Sequence, residues 1–373
     1  MYFAHTLSFL SYWCALSDDP DPTDSLYDRV IPEEDLWFLP GAPEDAAPTD
    51  PPWTIADRAP VFEVRDWLRA ERGLGLELAR AAAGFAALDE RLRRADPGLR
   101  HRLALREVSD LSWVSGTHIP VERLSLYDVL RLSSVGEDVR DLQSASWALR
   151  RLLARHGPLD WRDAGVEGFL GRARVEDSEF GNHAVRPMGD ALQGLTEEWH
   201  LVLEAAAGAH PISRAAIGFY AWRSFEISGP GEILEGAVAA AKLGAEEGRG
   251  GLPFLPVAGG QAGLYRLSDA PEVKLRKWYA AVDQACLRAL MELDRLEDWQ
   301  VRAGEVVSDL SGKTPPKLIK ALSATPVLSA DMAADLTGVS KAASLRNLTE
   351  FEHRGLVREI TGQGRFRFWT AKW

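Results

Sequence analysis

Apolar residues recur at spacings of three and four along most of this chain, the period of one face of a helix. Helices are therefore expected at 75–94, through Leu78, Ala82, Phe85, Leu88 and Leu92, and at 99–114, through Leu103, Val108, Leu111 and Trp113. The same period predicts helices at 124–132, 142–156, 195–208, 212–225 and 230–243. The longest run, 271–310, sets Leu275, Tyr279, Val282, Cys286, Leu290, Leu293 and Leu296 along one side, a stripe suited to sealing a core. Between the last two helices, 244–263 reads as a glycine-rich loop around Leu252-Pro-Phe-Leu-Pro-Val257. Strands and helices do not alternate, so a parallel α/β sheet is not expected.

The pattern shortens after residue 311. Pro315 and Pro316 suit the first turn of a helix over 315–324, with Leu318, Ile319 and Leu322 inward and Pro326 as its stop. Ser329 reads as the N-cap of a second helix whose inward residues are Met332, Ala333 and Leu336. Gly338 supplies a tight turn, and Ser340 caps a third helix. That helix turns Ala343, Ser344, Leu348 and Phe351 inward and Lys341, Ala342, Arg346 and Asn347 outward, with Leu345 at the edge. Two alternating runs, 356–360 and 365–371, flank Thr361-Gly-Gln-Gly364 as a β-hairpin. A helix-turn-helix followed by such a hairpin is a winged helix.

Charge sharpens this division. Residues 312–373 hold ten Lys/Arg and five Asp/Glu, a net +5, whereas the whole chain is −12, leaving −17 for residues 1–311. A basic module on an acidic body is a local footprint for a polyanion. The expected contacts to double-stranded DNA are Lys341, Arg346 and Asn347 in the major groove. Gln363, Arg365 and Arg367 of the hairpin, and Lys317 and Lys320 of the first helix with Lys313, are expected on the backbone. Three segments follow: an acidic N-terminal extension over 1–60, a helical body over 61–311 and the winged helix over 312–373. Residues 1–50 carry eleven acids and one base, with recurrent prolines, and read as an irregular solvated arm.

Other chemistry is less evident. Cys14 and Cys286 are the two cysteines, which exclude a disulfide framework and fit a reducing cytoplasm. The apolar run 1–16 lacks the basic start of a secretory signal and is short of the about 20 residues a spanning helix needs. The eight histidines form no His-x-x-x-His pair, and no nucleophile elbow, phosphate loop or dinucleotide fingerprint is present. His183, in a polar loop rich in acids, is the one candidate for hydrolytic or metal chemistry, against the simpler reading of a solvated loop histidine.

Two segments carry a resemblance. Arg80-Ala-Ala-Ala-Gly-Phe-Ala-Ala-Leu-Asp89 and Glu107-Val-Ser-Asp-Leu-Ser-Trp-Val-Ser-Gly116 resemble the N-terminal helices of Fic-type proteins, and 215–240 resembles the Fic core. On that alignment Ser224 stands at the catalytic histidine, Glu232 and Glu235 stand at two phosphate-binding arginines, and Ser115 stands at the inhibitory glutamate. Nucleotidyl transfer needs an imidazole base and cations for phosphate, so the resemblance implies a scaffold whose reaction is lost. The order of parts also resembles a bacterial family of unknown function, often plasmid-borne in alphaproteobacteria, that ends in a helix-turn-helix.

The expectation is thus a mainly α protein, a helical Fic-like body with a C-terminal winged helix-turn-helix. It would bind DNA sequence-specifically as a transcriptional or plasmid regulator, alone or as a homodimer, without cofactor or membrane. The alternatives are a divergent Fic-like nucleotidyl- or phosphoryl-transferase working through Glu232 or His183, and a protein-docking adaptor.

Overall fold

The computed structural model describes residues 62–130, 139–159, 165–172, 186–259, 264–362 and 367–373, all within one compact unit, Pro60–Trp373. The expected N-terminal extension, Cys14, His183, Gln363 and Arg365 lie outside the described residues. The body is built from helices α1 (Val64–Gly73), α2 (Gly75–Arg93), α3 (Pro97–Val114), α4 (Val121–Leu130), α5 (Val139–Leu153), α6 (Gly165–Leu170), α7 (Gly189–Ala205), α8 (Pro211–Ser224), α9 (Leu234–Gly244) and α10 (Pro271–Val306). α1 and the short α6 were not expected from the sequence. α9 starts at Leu234 rather than 230, because Gly229 and Gly231 take φ of 92° and 77°, outside the helical region.

α8 and α9 are buried nearly all round, so they form the centre of the body. They approach closely where glycine removes a side chain. A Cβ on Gly236 would lie 2.9 Å from the Trp222 ring, and one on Gly218 would lie 2.9 Å from Leu243. Trp222 meets Trp199 edge-on at 5.2 Å, and Phe219 meets Trp278 at 5.6 Å, a geometry that adds to plain burial.

The segment read as a glycine-rich loop is part of this core. Leu252, Phe254, Leu255 and Val257 are buried. Two buried carboxylates replace the strand or helix that would otherwise satisfy its backbone. Asp89 of α2 accepts the N–H of Arg249 and of Leu252, each at 2.6 Å. Glu107 of α3 accepts those of Val257 and Ala258 through one oxygen, at 2.7 and 2.8 Å. Loss of its water pushes the Glu107 carboxyl up to about 7 despite those two donors.

α10 has 36 residues, about 54 Å of helix, and runs out of the first core into a second. Its Trp299 and Ala303, with Val307 at its C-cap, pack with residues of α11 (Thr314–Ala324), α12 (Ala330–Thr337) and α13 (Lys341–His353). Three short strands complete this part: β1 (Leu328–Ser329), β2 (Val357–Glu359) and β3 (Phe368–Ala371), in the order β1-β3-β2. Both pairings are antiparallel, with Leu328 opposite Trp369 and Val357 opposite Ala371. β1, of two residues, is too short to show an alternating pattern in the sequence. Trp299 donates its indole N–H to the Leu356 carbonyl at 3.0 Å and so pins β2 to the long helix.

The body and the C-terminal part meet along α3 and α11. Arg102 of α3, 4% exposed, bridges them: its Nε reaches Glu292 at 3.1 Å and a terminal nitrogen donates to the Ser323 carbonyl at 3.4 Å. Its guanidinium also lies over Trp373, 5.4 Å from the ring centre.

Candidate nucleic-acid interface

α12 and α13 are joined through Gly338, whose φ of 68° and ψ of 25° place it in the left-handed region that a side chain resists. Each helix starts on a serine. Ser329 Oγ accepts the Met332 N–H at 3.1 Å, and Ser340 Oγ accepts the Ala343 N–H at 3.3 Å; caps of this kind contribute about 1 kcal/mol each. Ser344, Leu348 and Phe351 are fully buried beneath α13. Leu336 departs from expectation: it is 59% exposed, and Thr337 is buried in its stead. Ala330, Ala333 and Thr337 are three and four residues apart, so they, not Leu336, share the inner face of this two-turn helix.

With that inner face fixed, the opposite side of α13 is left open. Lys341, Ala342, Leu345, Arg346, Thr349 and His353 are exposed there. Thr349 and His353 went unnoticed in the sequence, although they lie three and seven residues beyond Arg346. Arg346 makes no ion pair with a described residue. Lys341 contacts Asp331 of α12 at 2.8 Å, with both side chains more than half exposed. Such a pair is worth about 0–1 kcal/mol, little enough to be exchanged for a phosphate. Neither cation is buried against the body.

Four of the other expected contacts have partners within the protein, while Lys313 is exposed. Asn347 is half-buried and gives its amide to the Ala343 carbonyl at 2.8 Å. Lys317 donates to the Thr337 carbonyl at 2.6 Å and so closes the end of α12. Lys320 contacts Asp96, the N-cap of α3, at 3.2 Å. The Gly98 N–H, with Lys320, holds the Asp96 carboxyl below its ordinary value. Arg367 is paired with Glu352 at 2.7 Å and lies over the Trp369 ring at 4.7 Å. Arg354 ties α13 to the end of α10 through Glu350 and the Val306 carbonyl, both at 2.7 Å.

The positions that carry the Fic resemblance are arranged for a different charge. Ser224 ends α8, and Glu232 accepts the Leu234 N–H at 2.8 Å, so a carboxylate occupies the N-terminus of α9. Glu235 is buried against Arg172, with Arg186 at 3.8 Å.

Residues 315–371 match the family model described as an HTH DNA-binding domain. No curated protein matches the chain. The chain therefore carries a C-terminal helix-turn-helix DNA-binding domain, and DNA is the partner that this domain implies. Among the described residues, no helix is long and apolar enough to cross a membrane.

Proposed function

We propose that this protein is a sequence-specific DNA-binding regulator, of transcription or of a plasmid, that lays α13 in the major groove as the recognition helix of a winged helix. One observation carries the reading: the face of α13 opposite Leu348 and Phe351 is open and bears Arg346, without an ion pair to a described residue, and Lys341, weakly paired. An arginine there can take the O6 and N7 of guanine, while Lys341 meets a phosphate. Asn347 bonds within α13, Lys317 closes α12 and Arg367 ties β3 to Glu352 of α13, while Lys320, exposed beside Asp96, stays available to a phosphate, and Gln363 and Arg365 remain expected backbone contacts at the hairpin tip. In this reading residues 61–311 are the body, 312–373 the winged helix and 1–60 an acidic arm. A dimer would space its half-sites about one DNA turn, 34–36 Å, apart.

The body keeps a Fic-like reading in its layout. Ser112 and Ser115 of one resembling segment line the same cleft as Glu232 and Glu235 of the other, which supports it. Its carboxylates Asp141, Glu232 and Glu235 are matched by Arg140, Arg172 and Arg186, and no histidine among the described residues lines it to act as a base, so the cleft is read as serving contact rather than transfer. The test is selection of duplexes from a random library by the full chain. Enrichment of one sequence, with binding that weakens steeply with salt, is expected. Salt-insensitive capture of protein and no enriched duplex would favour a docking adaptor instead.

A further inference from the structure

A cavity of about 350 Å³ lies between α3 and α10, floored by the buried segment after α9 and bordered by Trp373. That volume is within the range of small-molecule sites. Its charges are sorted by depth. Inside is Glu107, 4% exposed, with one oxygen taken by the Val257 and Ala258 N–H groups and the other without a hydrogen bond to a described residue. Asp110, half-buried, stands one turn further along α3 and makes no ion pair with a described residue. Burial holds its carboxyl above the ordinary value, against the pull of Arg106 and Arg288.

At the mouth stand Arg288 and Arg295, both exposed and without an ion-pair partner among the described residues. Gly259 keeps the passage open. A Cβ there would fall 2.9 Å from Arg288 and 3.3 Å from Asp110. The walls between the two charge layers are apolar, with Leu103, Phe254 and Ala285. Neither Glu107 nor Asp110 has a direct ion pair with a described residue, although Arg106 and Arg288 act on Asp110 from a distance, and a bound cation would relieve both acids.

We infer that this cavity binds a small zwitterion of the amino-acid class, its ammonium on Glu107 and Asp110, its carboxylate on Arg288 and Arg295, and its side chain against Phe254 and Trp373. The site also touches the joint with the helix-turn-helix. Glu292 in its wall holds Arg102, which donates to Ser323 of α11 and lies over Trp373. A ligand that draws on Glu292 or moves Trp373 therefore shifts the seating of α11, and with it α13. This second step rests on the proposed DNA reading; the binding site does not.

The experiment titrates the full chain by calorimetry and thermal shift with each of the twenty protein amino acids at up to about 10 mM. Each ligand found is compared with its decarboxylated amine and its deaminated acid. At least one zwitterion is expected to bind, with both single-ion forms about tenfold or more weaker. Arg288→Glu, at an exposed position, and Glu107→Gln, which keeps an acceptor for both N–H groups, should each weaken it about tenfold or more. No binding by any of the twenty, or binding that neither substitution changes, overturns the site. The selected duplex is then titrated with and without saturating ligand, and its affinity should change about threefold or more. An unchanged affinity overturns the coupling alone. Failure of the free protein to bind any duplex refutes the DNA reading, and the coupling with it, and leaves the ligand result standing.

Discussion

Gly98 of α3 lies directly against Ala324 of α11. A Cβ at 98 would stand 2.4 Å from the Ala324 Cβ and 3.1 Å from its Cα. The absence of one methyl group sets how closely the helix-turn-helix sits on the body, since the obstructing atoms are backbone or fixed to it.

Gly98→Ala is accordingly expected to cost about 1–3 kcal/mol in urea unfolding and to expose the α3–α11 joint to protease. Gly73→Ala, at a position with open space around it, serves as the control and should be neutral or slightly stabilising. Equal stability of the two variants would contradict the close packing.

Gly251 makes a tighter approach, with a Cβ that would fall 1.7 Å from the Asp89 carbonyl oxygen. No rotation of a side chain relieves that contact, so Gly251→Ala should unseat the segment that floors the cavity. Asp89→Ala removes the acceptor of the Arg249 and Leu252 N–H groups and should cost about 2–4 kcal/mol. Both are read by thermal unfolding and by hydrogen exchange at Leu252. Persistent protection there would show that the carboxylate is not what holds the segment.

Glu107 makes stability depend on pH. Its folded carboxyl is raised from 4.5 to about 7, so the folded state binds the proton more tightly than the unfolded chain does. Stability therefore falls as pH rises from about 4.5 to about 7, then levels, with a total of about 3 kcal/mol from this group. Glu107→Gln retains an acceptor and loses the charge. Its stability should match the wild type near the acid end and exceed it at about pH 8. Parallel profiles for the two proteins would contradict the buried, water-poor setting of Glu107.

The cations of the DNA-binding domain should separate by role. Lys341→Ala is expected to weaken all duplexes alike and to lower the salt slope by about 1. Lys317→Ala should leave the slope unchanged and lower the unfolding temperature, because that ammonium closes α12 at Thr337. Filter binding across a salt series, alongside thermal unfolding, distinguishes them.

What was legible in the sequence followed from periodicity. α2, α3, α8, α10 and the three helices α11–α13 lie within a few residues of their expected spans, because each buries a long apolar stripe or carries a serine cap or glycine stop. α1 and α6 offered little more than a turn or two of pattern. The segment after α9 has the sequence of an ordinary loop, since nothing local shows that Asp89 and Glu107, 163 and 150 residues away, satisfy its backbone. On α13 the outward side was readable from Leu348 and Phe351. The engagement of Asn347, Lys317 and Arg367 was not, because their partners come from other turns and elements. The cavity was invisible for the same reason: Glu107 and Asp110 lie on α3, and Arg288, Glu292 and Arg295 lie on α10.

The most direct measurement is a side-by-side titration of wild type and Arg346→Ala on the selected duplex and on a scrambled one. The expected result is a loss of about 1–3 kcal/mol on the selected duplex, a smaller loss on the scrambled one, and relaxed preference at one base pair. Equal affinity of the two proteins for the selected duplex would remove α13 from base recognition.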